Sequence, residues 1–180
     1  NRTTCTVTAT DSESGLWKIE QLNTSGTVVA TTNFSSLYTT TANTTQSITL
    51  NSAAVKVKVY DAVNNSTTLE IPQWGISSNT TITANEYNGI KVTANCTLTF
   101  SNTAAIQIGD TSKPNAGIEV GSGVTLTIAN NSSYNVNVYG GYVTDSYGST
   151  IKYAGIYVPS NATLNMQGSG RTNAYGYGTG

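Results

Sequence analysis

Apolar and polar residues alternate in short runs along most of this chain, the period-two signature of half-buried β-strands. Over residues 1–70 the runs predict strands at Cys5–Ala9, Leu16–Leu22, Thr27–Thr31, Ser47–Leu50 and Val55–Tyr60. Turn-forming clusters separate them: Asp11-Ser12-Glu13-Ser14-Gly15, Asn23-Thr24-Ser25-Gly26 and Asp61-Ala62-Val63-Asn64-Asn65. In Val55-Lys56-Val57-Lys58-Val59 the three valines face one side and the two lysines the other. A small β-sandwich is expected here.

From about residue 71 the rhythm becomes an internal repeat. The twelve residues Gly89–Phe100 align without gaps on Gly117–Ile128 and Gly155–Met166, and Gly75–Thr83 is a shorter relative. Each copy reads Gly-Ile-x-Val, a turn, then x-Thr-Leu-Thr-apolar (x-Thr-Leu-Asn-Met in the last). Alternation sends Ile90/Ile118/Ile156, Val92/Val120/Val158 and Leu98/Leu126/Leu164 inward, joined by Phe100, Ile128 and Met166. Repeat starts lie 28 and then 38 residues apart. A third strand fits between copies, at Ile106-Gln107-Ile108 and Val136-Asn137-Val138. The longer spacing predicts an inserted loop around Asn130–Tyr134 or Tyr142–Ser149. Units of this kind bury their apolar side only against their neighbours, so an all-β chain is expected: a sandwich over 1–70, then a right-handed parallel β-helix over 71–180.

Two resemblances rest on these segments. Thr8-Ala9-Thr10-Asp11-Ser12-Glu13-Ser14-Gly15-Leu16-Trp17-Lys18-Ile19 and Val57-Lys58-Val59-Tyr60-Asp61-Ala62-Val63-Asn64-Asn65-Ser66-Thr67 resemble the opening and closing segments of bacterial Ig-like surface modules. The later repeats resemble the Gly-Ile-x-Val/Thr-Leu-Thr regions of large bacterial secreted proteins, often described as carbohydrate-binding. Together they imply an extracellular adhesin-type protein with a presenting module and a stacked, glycan-binding region. Thr3–Thr8 at one end and the Gly/Tyr tract Asn173–Gly180 at the other both read as cuts from a longer polypeptide.

Composition narrows the partners. Leu, Ile, Val and Phe make up about a fifth of the chain, near the level associated with disorder, but a net charge of -1 and the regular pattern favour a thin folded core. Thr occurs 32 times and Asn 20 times, while only 9% of residues are charged. Such a surface offers little to a phosphate backbone, so nucleic acid is excluded as an expected partner. No run of 18 apolar residues occurs, so membrane insertion by a helix is not expected.

Histidine is absent, which removes a Ser-His-Asp triad and any His metal ligand. Cys5 and Cys96 sit at apolar phase and read as core cysteines, with a disulfide between the halves as the alternative. The acids after residue 71 are Glu86, Asp110, Glu119 and Asp145, and no two share a repeat position as a polysaccharide-cleaving pair would favour. The chain is therefore read as a non-enzyme. No cofactor is expected; Asp11, Glu13 and Asp61 form a calcium candidate in turns, against ordinary turn capping.

Eight of the eleven tyrosines lie between Tyr134 and Tyr177. Alternation places Tyr139 and Tyr157 outside and Tyr153 inside with Ile151. Tyrosine beside amides suits sugars, since a ring stacks on the apolar sugar face while amides take its hydroxyls. Candidate ligand-binding residues are Tyr134, Asn137, Tyr139, Tyr142, Asp145, Tyr147 and Tyr157. The recurring outward Thr81/Thr83, Thr97/Thr99, Thr125/Thr127 and Thr163/Asn165 resemble the face of ice-binding solenoids, or reflect only the strand propensity of threonine. Eleven Asn-x-Ser/Thr sequons begin at Asn1, Asn23, Asn33, Asn43, Asn64, Asn65, Asn79, Asn95, Asn130, Asn131 and Asn161. The expected function is glycan or protein binding at a cell surface; the alternative is a stalk or filament subunit, glycosylated or not, capable of self-assembly.

Overall fold

The computed structural model describes residues 2–35 and 41–176, and among them the chain is all-β with no helix. Asn1, Tyr177 and the Asn43 side chain lie outside the described residues. The chain divides into two compact units, Arg2–Ile71 and Pro72–Gly180.

The first unit contains β1 (Thr4–Asp11), β2 (Leu16–Leu22), β3 (Val28–Asn33), β4 (Thr41–Thr49), β5 (Lys56–Asp61) and β6 (Ser66–Glu70). β1 and β4 form a two-stranded sheet, and β3-β2-β5-β6 a four-stranded one, all antiparallel. Val7, Leu16, Ile19, Phe34, Ile48, Ala54, Val57 and Ile71 form its buried core. A register shift between Leu16 and Lys18 lets both Leu16 and Ile19 point inward although they are three apart. Buried Gln21 is satisfied at both ends: Nε2 donates to Thr49 O (2.8 Å) and Oε1 accepts from Asn51 N (2.8 Å). β6 escapes the sequence pattern because every one of its residues is exposed.

The second unit repeats one circuit. Its strands are β7 (Trp74–Ile76), β8 (Thr80–Ile82), β9 (Ile90–Val92), β10 (Cys96–Phe100), β11 (Ile106–Ile108), β12 (Ile118–Val120), β13 (Thr125–Asn130), β14 (Val136–Tyr139), β15 (Tyr142–Thr144), β16 (Thr150–Lys152), β17 (Ile156–Tyr157), β18 (Thr163–Gln167) and β19 (Thr172–Tyr175). Successive passes of the chain add one strand to each of three parallel sheets, ordered β7-β9-β12-β17, β8-β10-β13-β18 and β11-β14-β19. A single bridge, Glu86 to Ile108, continues the third sheet into the first pass. The inward residues of all three sheets merge into one cluster, in which Ile90, Val92, Leu98, Ile108, Ile118, Leu126, Ile128, Val136 and Val138 are fully buried.

The register follows the repeat in part. Ile90, Ile118 and Ile156 pair in one row, and Leu126 pairs with Leu164. Leu98, however, pairs with Ile128, and Cys96 takes the place opposite Leu126. The path from Val120 to Leu126 is two residues longer than that from Val92 to Cys96, and an even slip keeps each side chain on its face. The same slip shifts the expected threonine rows between β10 and β13: Thr97 sits beside Thr127 and Thr99 beside Ala129, whereas Thr125 beside Thr163 and Thr127 beside Asn165 follow the repeat. Two further expectations need correction. Met166, at inward phase, is 53% exposed because β18 is the last strand of its sheet. The extra ten residues form the antiparallel hairpin β15–β16, which takes Ile151 out of the inward phase and leaves it exposed.

Candidate functional site

The candidate tyrosines do not converge on one place. Asn137 and Tyr139 lie on the outer face of β14, where Tyr139 stacks on Tyr175 (centroids 4.8 Å apart, planes 14°). Asn173 Nδ2 donates to Asn137 Oδ1 (2.9 Å) in the adjacent row, and Gln107 precedes them at the same register. An outward amide ladder thus runs beside a tyrosine stack. Tyr134 is exposed in the turn before β14, its backbone N–H donating to Ser132 Oγ (3.0 Å).

Tyr142, Asp145 and Tyr147 belong to the hairpin. Asp145 Oδ1 accepts the backbone N–H of Tyr147 and of Ser149 (2.9 Å each), so this carboxylate caps the turn; Tyr147 at the tip is 93% exposed. Gly140 and Gly141 hold the hairpin base close to the fold. A Cβ on Gly141 would overlap the Lys113 carbonyl, and one on Gly140 the Tyr153 and Ala154 carbonyls.

Tyr157 lines a concave site. A cleft of about 520 Å³ is bounded by Gln73, Pro114, Asn115, Ala116, Glu119, Lys152, Tyr153, Ala154 and Tyr157, within the size range of small-ligand sites. Register builds it: Glu119 on β12 lies between Lys91 on β9 and Tyr157 on β17. Lys91 Nζ approaches Glu119 Oε1 at 2.9 Å, balancing that carboxylate at the rim. Gln73 Nε2 donates to Ala116 O (2.9 Å), fixing one wall. Tyr153, expected inside, instead lines the cleft, because the hairpin ends at Lys152 and resets the phase. Gln73, Asn115, Lys152 and Tyr153 escape the sequence reading as site residues; they come from a linker, a turn and the hairpin exit, where no repeat register marks them.

In the first unit, Asp11 and Asp61 line a shared depression of about 290 Å³ that does not include Glu13. Their carboxylates are used as turn caps. Asp11 Oδ1 accepts N–H bonds from Glu13, Ser14 and Gly15 (2.8–2.9 Å), and Asp61 Oδ1 accepts from Val63 and Asn65. The Gly15 amide first, then that of Glu13, holds the Asp11 carboxyl below its ordinary range. Among the described residues no three acids or cysteines gather as a metal site. Cys5 and Cys96 are free thiols, and burial pushes the Cys96 thiol up.

Several sequon asparagines have structural work. Asn79 Oδ1 accepts Thr97 N (2.8 Å) and Asn95 Oδ1 accepts Thr125 N (2.7 Å), each capping the strand of the following pass. Asn130 is corrected as a glycosylation candidate: it is 1% exposed and its Nδ2 donates to Arg171 O (3.0 Å), so no glycan reaches it in the folded chain. Asn33, Asn64, Asn65, Asn79, Asn95, Asn131 and Asn161 are exposed, and Asn23 is half-buried.

Comparison with protein-family models, curated proteins and solved structures finds no match for this chain.

Proposed function

We propose that this chain is a non-catalytic part of a secreted or cell-surface protein that recognises glycans, using the cleft bounded by Tyr153 and Tyr157. The observation that carries the reading is the cleft's make-up: two tyrosines, amides from Gln73 and Asn115, and one side chain of each charge, Glu119 and Lys152. Aromatic faces with amide donors and acceptors match a sugar's apolar face and its hydroxyls. The same proposal reads the second unit as a right-handed parallel β-helix, supported by three parallel sheets visited in the same order on successive passes. It reads the first as an Ig-like sandwich, supported by its two antiparallel sheets around one core. A non-catalytic role toward the glycan is supported by the acids of the second unit: Asp110 and Asp145 cap turns, Glu86 is buried, and among the described residues Glu119 is the one acid lining the cleft, already ion-paired.

The test is a broad glycan array followed by titration of the best ligand against Tyr157→Ala and Tyr153→Ala. Each is expected to weaken binding about tenfold through loss of a stacking ring. Retention on no glycan, or wild-type affinity in both variants, would sink the reading. A second reading, a stalk or filament subunit, is favoured by the exposed edge of the sheets, where Met166 stands open and Val158 and Leu164 are only half-buried. Concentration-dependent light scattering, abolished by Met166→Lys, would favour it over glycan recognition.

A further inference from the structure

Three side chains of the second unit combine burial with reactive chemistry: Glu86 (6% exposed), Asn88 (2%) and Lys113 (2%). Among the described residues, Glu86 is the one buried acid and Lys113 the one buried lysine. Charged groups are taken out of water only where specific partners receive them.

Backbone bonds bring the three together. Glu86 N donates to Gln107 O (2.9 Å), and Glu86 O accepts from both Gly89 N (3.1 Å) and Gly109 N (2.9 Å). The segment 86–89 is therefore a tight turn stapled to the start of the loop that carries Lys113. That loop turns at once, with Lys113 N on Asp110 O (3.0 Å) and Asn115 N on Lys113 O (2.8 Å). Its far end returns to the same turn, where Asn115 Nδ2 donates to Asn88 O (3.4 Å). Gly89 seals the contact: a Cβ there would stand 2.9 Å from the carbonyls of Ala116 and Gly117. Lys113 thus sits on a short loop pinned at one end to Glu86 and at the other to Asn88. Its side chain is buried, as are those of Glu86 and Asn88 at the two pins.

A lysine amine, a carboxamide and a carboxyl group, all buried and carried on segments pinned to one another, are the reactants and catalyst of an intramolecular amide exchange. We propose that Lys113 and Asn88 form a covalent isopeptide bond, with Glu86 moving the proton. Burial disfavours the charged forms of both groups, so the Lys113 ammonium passes a proton to the Glu86 carboxylate and the amine lone pair becomes the nucleophile. Nζ of Lys113 attacks Cγ of Asn88 while the Glu86 carboxylic acid protonates the carboxamide oxygen. Through the same carboxyl group a proton passes from Nζ to Nδ2, the Cγ–Nδ2 bond breaks as the carbonyl re-forms, and ammonia leaves, carrying the lysine's original proton as ammonium. The Nζ–Cγ amide replaces the carboxamide, no oxidant or cofactor enters, and Glu86 ends as it began. Exclusion of water protects the carboxamide from hydrolysis to aspartate. The product ties the turn after the first pass to the loop after the second, locking two successive passes covalently.

The test is intact mass spectrometry of the whole chain made without glycosylation. A deficit of about 17 Da from the sequence mass, one ammonia, is expected. Trypsin should then release residues 59–91 joined to residues 92–152 as one branched species. Glu86→Gln and Lys113→Met should each restore the full mass of the variant. A folded wild-type chain at full sequence mass overturns the proposal, whatever the variants do. So does a deficit that survives Lys113→Met or is opened by hydroxylamine, since that marks a succinimide at Asn88-Gly89. The wild-type mass and the branched peptide do not depend on whether any variant folds.

Discussion

In the first unit, for which a sandwich is the proposed reading, the core is built from positions that occur once. Val7 and Ile48 come from strands paired antiparallel across some forty residues, Thr4 opposite Thr49, and Phe34 and Ile71 lie outside the regular strands. In the stacked unit the same inward position recurs in each pass: Ile90 beside Ile118, Val92 beside Val120, Ile106 beside Val136. Both units face the same shortage of apolar side chains. A stack answers it with a narrow interior in which each inward residue is covered by its own counterpart, so even three-residue strands bury both of their inward residues. The sandwich needs local devices: a register shift at Leu16, a satisfied buried Gln21, and aspartates that pin its turns. Stability in the stack should therefore be shared between neighbours, and in the sandwich concentrated at particular residues.

The hardest blow to that contrast is a cavity in the middle of the stack. Leu126 is fully buried, with β10 on one side and β18 on the other. Leu126→Ala is expected to cost about 3 kcal/mol, within the usual span for buried leucine truncation. Each unit carries one tryptophan, Trp17 and Trp74, so single-tryptophan variants report the units separately. The Trp74 denaturation midpoint should fall while that of Trp17 holds. Midpoints that fall together would show one cooperative body and break the comparison.

A pair of glycines sharpens it further. Gly26 in the sandwich and Gly109 in the stack both hold φ near +80° (80° and 75°). A Cβ on Gly26 would meet nothing within 4 Å, whereas on Gly109 it would overlap the Tyr139 carbonyl and stand 2.7 Å from Gly117 Cα. Gly26→Ala should cost about 1 kcal/mol for the backbone alone. Gly109→Ala adds a clash between passes and should cost about 2–4 kcal/mol, read as the same midpoint shifts. Equal losses would mean that neighbouring passes are not closely packed there.

These contrasts also explain what the sequence disclosed. Repetition made the second unit legible: Ile106–Ile108 and Val136–Val138 are strands where alternation places them, and the insertion falls at Tyr142–Ser149, one of its two expected places. The two-residue slip at Leu98 was hidden because it preserves every side chain's face and leaves no mark in the alternation. β6 was hidden because a fully exposed strand has no apolar phase to show. Of the site, Tyr157 and Glu119 were placed by register, while Gln73, Asn115, Lys152 and Tyr153 sit where turns and the hairpin interrupt it. Grouping tyrosines by proximity in sequence merged three places that the fold keeps apart.

pH should separate the units by sign. In the sandwich, Asp11 is held low by the Gly15 and Glu13 amides, and Glu20 by the Lys18 ammonium first and the Tyr60 hydroxyl after burial's opposing effect. A depressed carboxyl contributes stability above its unfolded value that is lost as pH falls through the folded one. The Trp17 transition should weaken as pH drops from about 4.5 through 3.8 and below. In the stack, burial raises the Cys96 thiol, so its contribution is complete below the unfolded value of 9.0 and is lost above it. Alkaline loosening of the Trp74 transition that disappears in Cys96→Val would confirm the opposite sign. Acid loss of both transitions together would count against local pinning in the sandwich.

The smallest expected difference concerns surface charge. Lys18 in the sandwich lies 2.7 Å from Glu20, largely shielded, with its Nζ 4.5 Å from the ring centroids of both Trp17 and Tyr60. Lys91 in the stack meets Glu119 at 2.9 Å, but half of its side chain is in solvent. An exposed pair contributes little, because water screens it and two long side chains lose freedom in forming it. Lys91→Ala should therefore change stability by about 0.5 kcal/mol or less, and 1 M salt should erase even that. Lys18→Ala removes a shielded pair and two ring contacts, and should cost about 1–2 kcal/mol with most of it surviving salt. The same Lys91 variant leaves Glu119 unbalanced at the rim of the cleft, so its larger effect should fall on ligands rather than on folding. Affinity for an anionic sugar should drop in Lys91→Ala while that for a neutral one holds. If folding stability falls as much for Lys91 as for Lys18, charge is anchored alike in both units, and local pinning is not what distinguishes the sandwich.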